Sequence, residues 1–133
     1  RKELQEEMDK NAQVFRTEES LESVTKTIQS LRERYQNIGI HDRGKRFNTD
    51  LLEAVELGFL LDLAEVLVMT SRERRESRGG HFREDYETRN DEKFMVHSMA
   101  YLTKKTAKVP GENIRVDWKP VVITNYQPME RKY

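Results

Sequence analysis

The sequence predicts a mainly α fold, with an antiparallel three-helix bundle of the spectrin-repeat kind over residues 1–75. A motif loop, a two-stranded β-hairpin and an extended arm of the same domain are predicted over 76–133. Three observations carry this. Apolar residues recur at spacings of three and four through the first half of the chain. Near the C-terminus they alternate with charged residues. Between the two lies a glycine-punctuated stretch of mixed charge.

The first helix is expected over Lys2 to Phe15, where Leu4, Met8, Ala12 and Phe15 fall near one face. Thr17 to Ser20 supply capping hydroxyls and first-turn acids for a second helix, with the seam Leu21, Val24, Ile28, Leu31, Tyr35, Ile38. That seam is read as an intramolecular bundle contact, because it is short for a homodimeric coiled coil. Gly39 is expected to end the helix, and residues 41–46 form a polar connection that lacks phosphate-loop spacing. Asn48, Thr49 and Asp50 cap a third helix running to about Arg75. Its centre, residues 57–69, is apolar nearly all round, so a further domain or subunit is expected to cover it. Gly58 in that interior points to a close approach by a neighbouring backbone.

Asn90 and Asp91 can start a helical turn, and Met95 to Leu102 reads as a strand. Residues 114–124 read as its partner, since Ile114, Val116 and Trp118 alternate with Arg115, Asp117 and Lys119. Pro110 to Asn113 supply the turn, and Pro120 and Pro128 imply an edge or an extended arm.

Composition limits function. At 133 residues the chain holds one domain, and 35% apolar against 36% charged residues implies a small core in a charged shell. The mean hydropathy of -0.91 agrees. Twenty-four basic and 24 acidic residues cancel, which argues against nucleic-acid or anionic-membrane binding. The absence of cysteine excludes disulfides and thiolate chemistry. No apolar run approaches the ~20 residues of a membrane span. The chain opens at Arg1 with Leu4 already in a helical pattern, which is expected of an excised domain and equally of a processed mature terminus.

Candidate chemistry is sparse. His41, His81 and His97 share no metal-ligand spacing, and Asp85 after His81 suits a structural role in the loop. Glu53/Glu56 and Asp62/Glu65 do not converge on one helix face and read as partners for arginines from a neighbour rather than as an acid/base pair. No nucleophile elbow or dinucleotide turn is present, so no catalytic, cofactor-binding or metal-binding residue is assigned. What remains is a loop of directional donors and acids, from Arg75 to Tyr86, suited to docking against another protein segment.

That loop carries a resemblance. Ser77-Arg78-Gly79-Gly80-His81-x-Arg83-x-Asp85-Tyr86, then Arg89-Asn90-Asp91-Glu92 and Phe94 to His97-Ser98, resembles the C-terminal domain of the succinate dehydrogenase and fumarate reductase flavoproteins. The long apolar helix, the hairpin and the basic ending Pro128 to Tyr133 fit as well. Departures are Gly80 for alanine, Glu87 for proline, Asn90 for aspartate, Val96 for a basic residue and Ser98 for threonine. The resemblance implies a parent enzyme that exchanges succinate and fumarate through FAD bound in upstream domains, with FAD absent from this part. It implies electron passage through an iron–sulfur subunit to quinone, on the cytoplasmic face of the membrane and without a span of its own. It places Arg75, Ser77, Arg78, Gly79, Gly80, His81, Arg83, Asp85, Tyr86, Arg89 and His97 at docking contacts with the FAD-binding domain and the iron–sulfur subunit. An L-aspartate oxidase-type flavoprotein shares part of the motif, but its chains end soon after it. A helical interaction module without an enzymatic parent is the reading from a different class.

Overall fold

The computed structural model describes residues 1–103 and 113–129. Of the expected turn at Pro110 to Asn113, residues 110–112 lie outside them, as do the last residues, 130–133, of the basic ending.

Helix α1 (Lys2–Asn11) is shorter than the apolar spacing suggested. Arg16 ends it from outside: its guanidinium donates 2.9 Å to the Ala12 carbonyl, one of the acceptors a helix end leaves unpaired. Phe15–Arg16 instead form β1, which pairs in parallel with β2 (Phe82–Arg83). The Phe15 and Phe82 rings meet edge to face at 5.8 Å. A contact across so many residues leaves no trace in local periodicity.

Helix α2 (Glu18–Tyr35) starts at a reciprocal capping box. The Thr17 hydroxyl accepts from the Ser20 amide at 3.1 Å, and the Ser20 hydroxyl accepts from the Thr17 amide at 3.0 Å. The seam is buried at Leu21, Val24 and Ile28, while Ile38 lies beyond the helix and is exposed. The helix therefore ends before Gly39, where tight turns from Asn37 to Arg34 and from Ile38 to Tyr35 unwind it.

Helix α3 (Thr49–Glu73) begins where the Asn48 side chain accepts from the Leu51 amide at 2.8 Å. It runs antiparallel to α2, with Tyr35 bonded to Ala54, Arg32 to Asp62 and Arg72 to Glu18. The close approach at Gly58 comes from a side chain rather than a backbone. A Cβ there would lie 2.7 Å from the Tyr35 hydroxyl. The core joins Leu4 and Ala12 of the α1 region, Leu21, Val24 and Ile28 of α2, and Leu61, Ala64 and Val68 of α3. The opposite face of α3 stays open, exposing Leu52, Val55, Phe59 and Leu63.

After the motif loop, the single turn α4 (Asp91–Phe94) is capped by Asn90. Strands β3 (Val96–Leu102) and β4 (Ile114–Pro120) pair antiparallel, with Ser98 opposite Trp118. Strand β4 stops at Pro120, short of the expected Thr124, because proline has no N–H to donate to the ladder. The hairpin rests on α3, where Asn113 donates to the buried Glu65 carboxylate at 3.1 Å. Arg32 meets the other side of that carboxylate at 2.7 Å. Thus Asp62 and Glu65 take an arginine from this chain's own α2, and Glu56 pairs with Arg1.

Candidate functional site

The motif loop leaves α3 at Arg74 and folds back onto the end of that helix and the start of α2. Its centre is Arg83, whose side chain is fully buried. Burying a guanidinium is costly unless every donor finds an acceptor. Here Nε and Nη2 grip Asp85 at 2.6 and 2.7 Å, a bidentate pair. Nη1 donates to the carbonyls of Ser71 and Arg72 at 2.9 and 3.2 Å, and Nη2 also reaches Glu18 at 3.3 Å. The arginine thereby caps the C-terminus of α3, where carbonyls are unpaired and cations are favoured. Its outer face lies 5.2 Å from the Tyr86 ring.

Asp85 turns its other lone pairs to the Glu18 amide at 2.9 Å, in the first turn of α2. Hydrogen bonding from Arg83 holds its carboxyl below the ordinary aspartate range, against a smaller upward push from burial. Glu18 also receives Nε and Nη2 of Arg72 at 2.8 and 2.6 Å. One cluster of charges thus ties α2, α3 and the loop together.

A second cluster surrounds Glu76, also fully buried. It accepts from Arg74 at 2.7 Å, from Arg78 at 2.9 and 3.0 Å, and from the Asn90 amide at 2.9 Å. Burial pushes its carboxyl up, but bonds from Arg78, Asn90 and Arg74 prevail and hold it below the glutamate range. Arg78 continues to Asp91 at 2.6 Å, and Asp91 binds Arg89 at 2.8 Å. Arg74 reaches the hairpin through the Phe94 and Val96 carbonyls and the Ser98 hydroxyl, and its guanidinium lies 5.3 Å from the Trp118 ring.

His81 links the two clusters. Its Nε2 lies 2.9 Å from the Arg74 carbonyl and must donate, while Nδ1 lies 2.7 Å from an Arg16 donor and must accept. Only the neutral Nε2–H tautomer meets both demands. Burial lowers its pKa, helped by the charges of Arg16, Arg83 and Arg74, while the bond to the Arg74 carbonyl opposes this. Arg16 is itself held below its ordinary value by burial and then by Arg83.

Of the residues singled out from sequence, Ser77, Arg78, His81, Arg83, Asp85, Tyr86 and Arg89 are brought together. The Ser77 hydroxyl accepts from the Arg83 amide at 2.8 Å and donates to the Tyr86 carbonyl at 2.9 Å. Gly79 takes a positive φ of 59°, the turn that lets Arg78 and His81 exchange backbone bonds. Gly79, Gly80 and Arg75 are exposed on its outside. His97 does not join: it is exposed on β3, opposite Lys119. Sequence reasoning passed over Arg74 and Arg16; it read Glu18 only as a first-turn acid of the second helix and Glu76 only as one of the loop's acids, whereas both complete the clusters. For Glu76 the signal was a lone acid flanked by arginines at 74, 75 and 78. Beside the loop lies an open groove of about 1150 Å³, lined among others by Arg78, Gly79, Phe82, Arg89 and Met129. Among the described residues no group of histidine and carboxylate side chains could hold a metal, and no helix is long and apolar enough to cross a membrane.

A protein family described as the fumarate reductase flavoprotein C-terminus matches residues 1–133. A fumarate reductase flavoprotein subunit of Haemophilus influenzae is 36% identical over 126 residues, which cover 95% of this chain and 20% of the relative. A succinate dehydrogenase flavoprotein subunit of Rickettsia conorii is 41% identical over 121 residues, covering 91% of this chain and 19% of the relative. A solved structure of quinol fumarate reductase from E. coli superposes with a TM-score of 0.87 at 31% identity, over 96% of this chain and 21% of the other. The chain therefore spans about a fifth of the length of the curated relatives it matches.

Proposed function

We propose, because the chain belongs to the fumarate reductase flavoprotein C-terminal family, that it is the C-terminal part of a flavoprotein subunit interconverting succinate and fumarate. FAD and the dicarboxylate are bound by the part of that subunit outside this chain. Electrons exchange through an iron–sulfur subunit with quinone, and the assembly sits peripherally on the cytoplasmic face of the membrane. Residues 1–75 serve as the three-helix bundle of the domain, and residues 76–133 as its motif loop and hairpin. The family match over 1–133 is the observation that carries this reading.

The role assigned to this chain is structural and docking, not catalytic. Arg78 and Arg83 face Glu76, Asp91 and Asp85, so their charges are already neutralised and neither is free to bind a dicarboxylate or a flavin pyrophosphate. Gly79-Gly80 do not precede a helix whose amides could cradle a phosphate. In this reading the buried clusters hold the loop rigid. Its outer members, Arg75, Gly79, Gly80, Tyr86 and Arg89, then meet the FAD-binding domain or the iron–sulfur subunit, and His97 meets a partner from the hairpin.

The test is the full-length flavoprotein carrying Arg78→Ala. Association with its iron–sulfur subunit weakens, while turnover at saturating succinate in the assembled fraction is kept. Intact assembly with reduced turnover would overturn the docking role. The parent reading is tested separately, by flavin absorbance and succinate-dependent dye reduction of the unmutated full-length protein.

A further inference from the structure

The connection between α2 and α3 contains a backbone conformation that local bonds hold but that does not suit the side chain placed on it. Phe47 has a φ of 52°, the only non-glycine residue with positive φ among the described residues. A bulky side chain is disfavoured there, and such strain persists only where the surroundings impose it. The ring is 98% exposed, so nothing in this chain covers it.

The segment around it is nevertheless tightly bonded. The Asn48 side-chain amide donates through Nδ2 to the Asp42 and Gly44 carbonyls at 2.9 and 3.1 Å. The Asp50 carboxylate accepts from the His41 and Asp42 amides at 2.6 and 3.2 Å, and Asp42 accepts from the Gly44 amide at 2.7 Å. These bonds hold the backbone and leave the ring pointing outward. A solvated loop would place glycine or asparagine at such a φ. An exposed aromatic ring on a backbone held in this way fits a contact that is completed elsewhere.

Two further observations say what completes it. Phe47 lies two residues before α3, whose face carrying Leu52, Val55 and Phe59 is also exposed. Four fifths of each matched relative lies outside the segment this chain aligns with, in the same polypeptide. Resting on the flavoprotein reading above, we infer that Phe47 is a preorganised anchor that inserts into an apolar pocket on the rest of its own flavoprotein chain.

The test uses thiol labelling of the full-length flavoprotein. These 133 residues contain no cysteine, so a peptide carrying Phe47→Cys reports one thiol. Alkylation at that position runs at least about tenfold slower in the native protein than in urea, while Lys10→Cys on the exposed face of α1 stays within about threefold. In a second arm, Phe47→Leu keeps the protease resistance of residues 39–47 and Phe47→Asn, which suits a positive φ, loses it. Equal alkylation in native and denatured protein, or equal resistance of the two variants, overturns the inference. So does protection that disappears on dilution to a monomer, because the cover is then a second copy. Failure of the flavoprotein reading is seen separately, as a full-length protein without bound flavin.

Discussion

Replacing Arg83 by methionine should be among the most damaging single changes in this chain. Methionine has similar reach and keeps the packing but no donor. Four acceptors lose a partner: the Asp85 and Glu18 carboxylates and the carbonyls of Ser71 and Arg72. Asp85 keeps its bond from the Glu18 amide and some water, so its loss is partial. Ser71 is itself buried near the end of α3, where the last carbonyls lack partners within the helix. An orphaned buried acceptor costs about 1–3 kcal/mol, and breaking a buried ion pair from one side about 3–5 kcal/mol. These overlap, so we expect a total near 3–5 kcal/mol. With a urea slope of about 1.5 kcal/mol/M for a chain this size, the midpoint should fall by roughly 2–3 M. Arg83→Lys keeps the charge but cannot serve Asp85 and both carbonyls at once, and should lose roughly half as much. Arg89→Ala, at an exposed pair, should lose under about 1 kcal/mol. Urea titrations followed by circular dichroism measure all three. A loss for Arg83→Met no larger than for Arg89→Ala would refute the assignment of Arg83 as the centre of the loop.

Two other outcomes follow from the same geometry. His81 is neutral in the fold and its pKa is depressed, first by burial, so the unfolded chain binds more protons just below pH 6.5. Its stabilisation is complete above pH 6.5 and is lost as pH falls toward the depressed folded value; the lowered carboxyls of Asp85 and Glu76 add a second loss below about pH 4. His81→Gln can donate to Arg74 and accept from Arg16 without titrating. Melting temperature against pH should therefore lose its upper step in the variant and keep the lower one; an unchanged upper step would assign it to another group. Gly58→Ala gains about 1 kcal/mol of helix propensity yet places Cβ 2.7 Å from the Tyr35 hydroxyl. We expect a net loss of about 1–2 kcal/mol, reduced in a Tyr35→Phe background, and a double-mutant cycle with no coupling would contradict that contact.

The elements legible in the sequence were those fixed by local chemistry. Asn48 before Leu51, Thr17 before Ser20 and Asn90 before Lys93 each mark a helix start with one side chain and one nearby amide. The alternation from Ile114 to Trp118 likewise needs only the two faces of a strand. What failed depended on distant residues. The first helix ends early because Arg16 and Phe15 are held by His81 and Phe82, over sixty positions away. The site was legible as a motif but not as a mechanism of stability. Charge pattern alone could not say that the loop's arginines turn inward to Glu76 and Asp85 rather than outward to a ligand.

That inward turn also resolves the tension between a charged composition and an ordered fold. The apolar core is confined to the helices, and it does not reach the loop. Beyond Glu73 the chain is held by Arg74, Arg78 and Arg83 against Glu76, Asp85 and Asp91, each guanidinium offering several donors in a fixed plane. Such bonds depend on direction, whereas apolar contacts tolerate sliding. A loop held this way keeps one shape with few hydrophobic residues, and a partner meeting its outer face meets a surface already formed. Order in the motif should therefore respond to arginine geometry more than to side-chain volume. On that argument Arg83→Lys harms the loop more than Phe82→Leu does, although lysine preserves the charge.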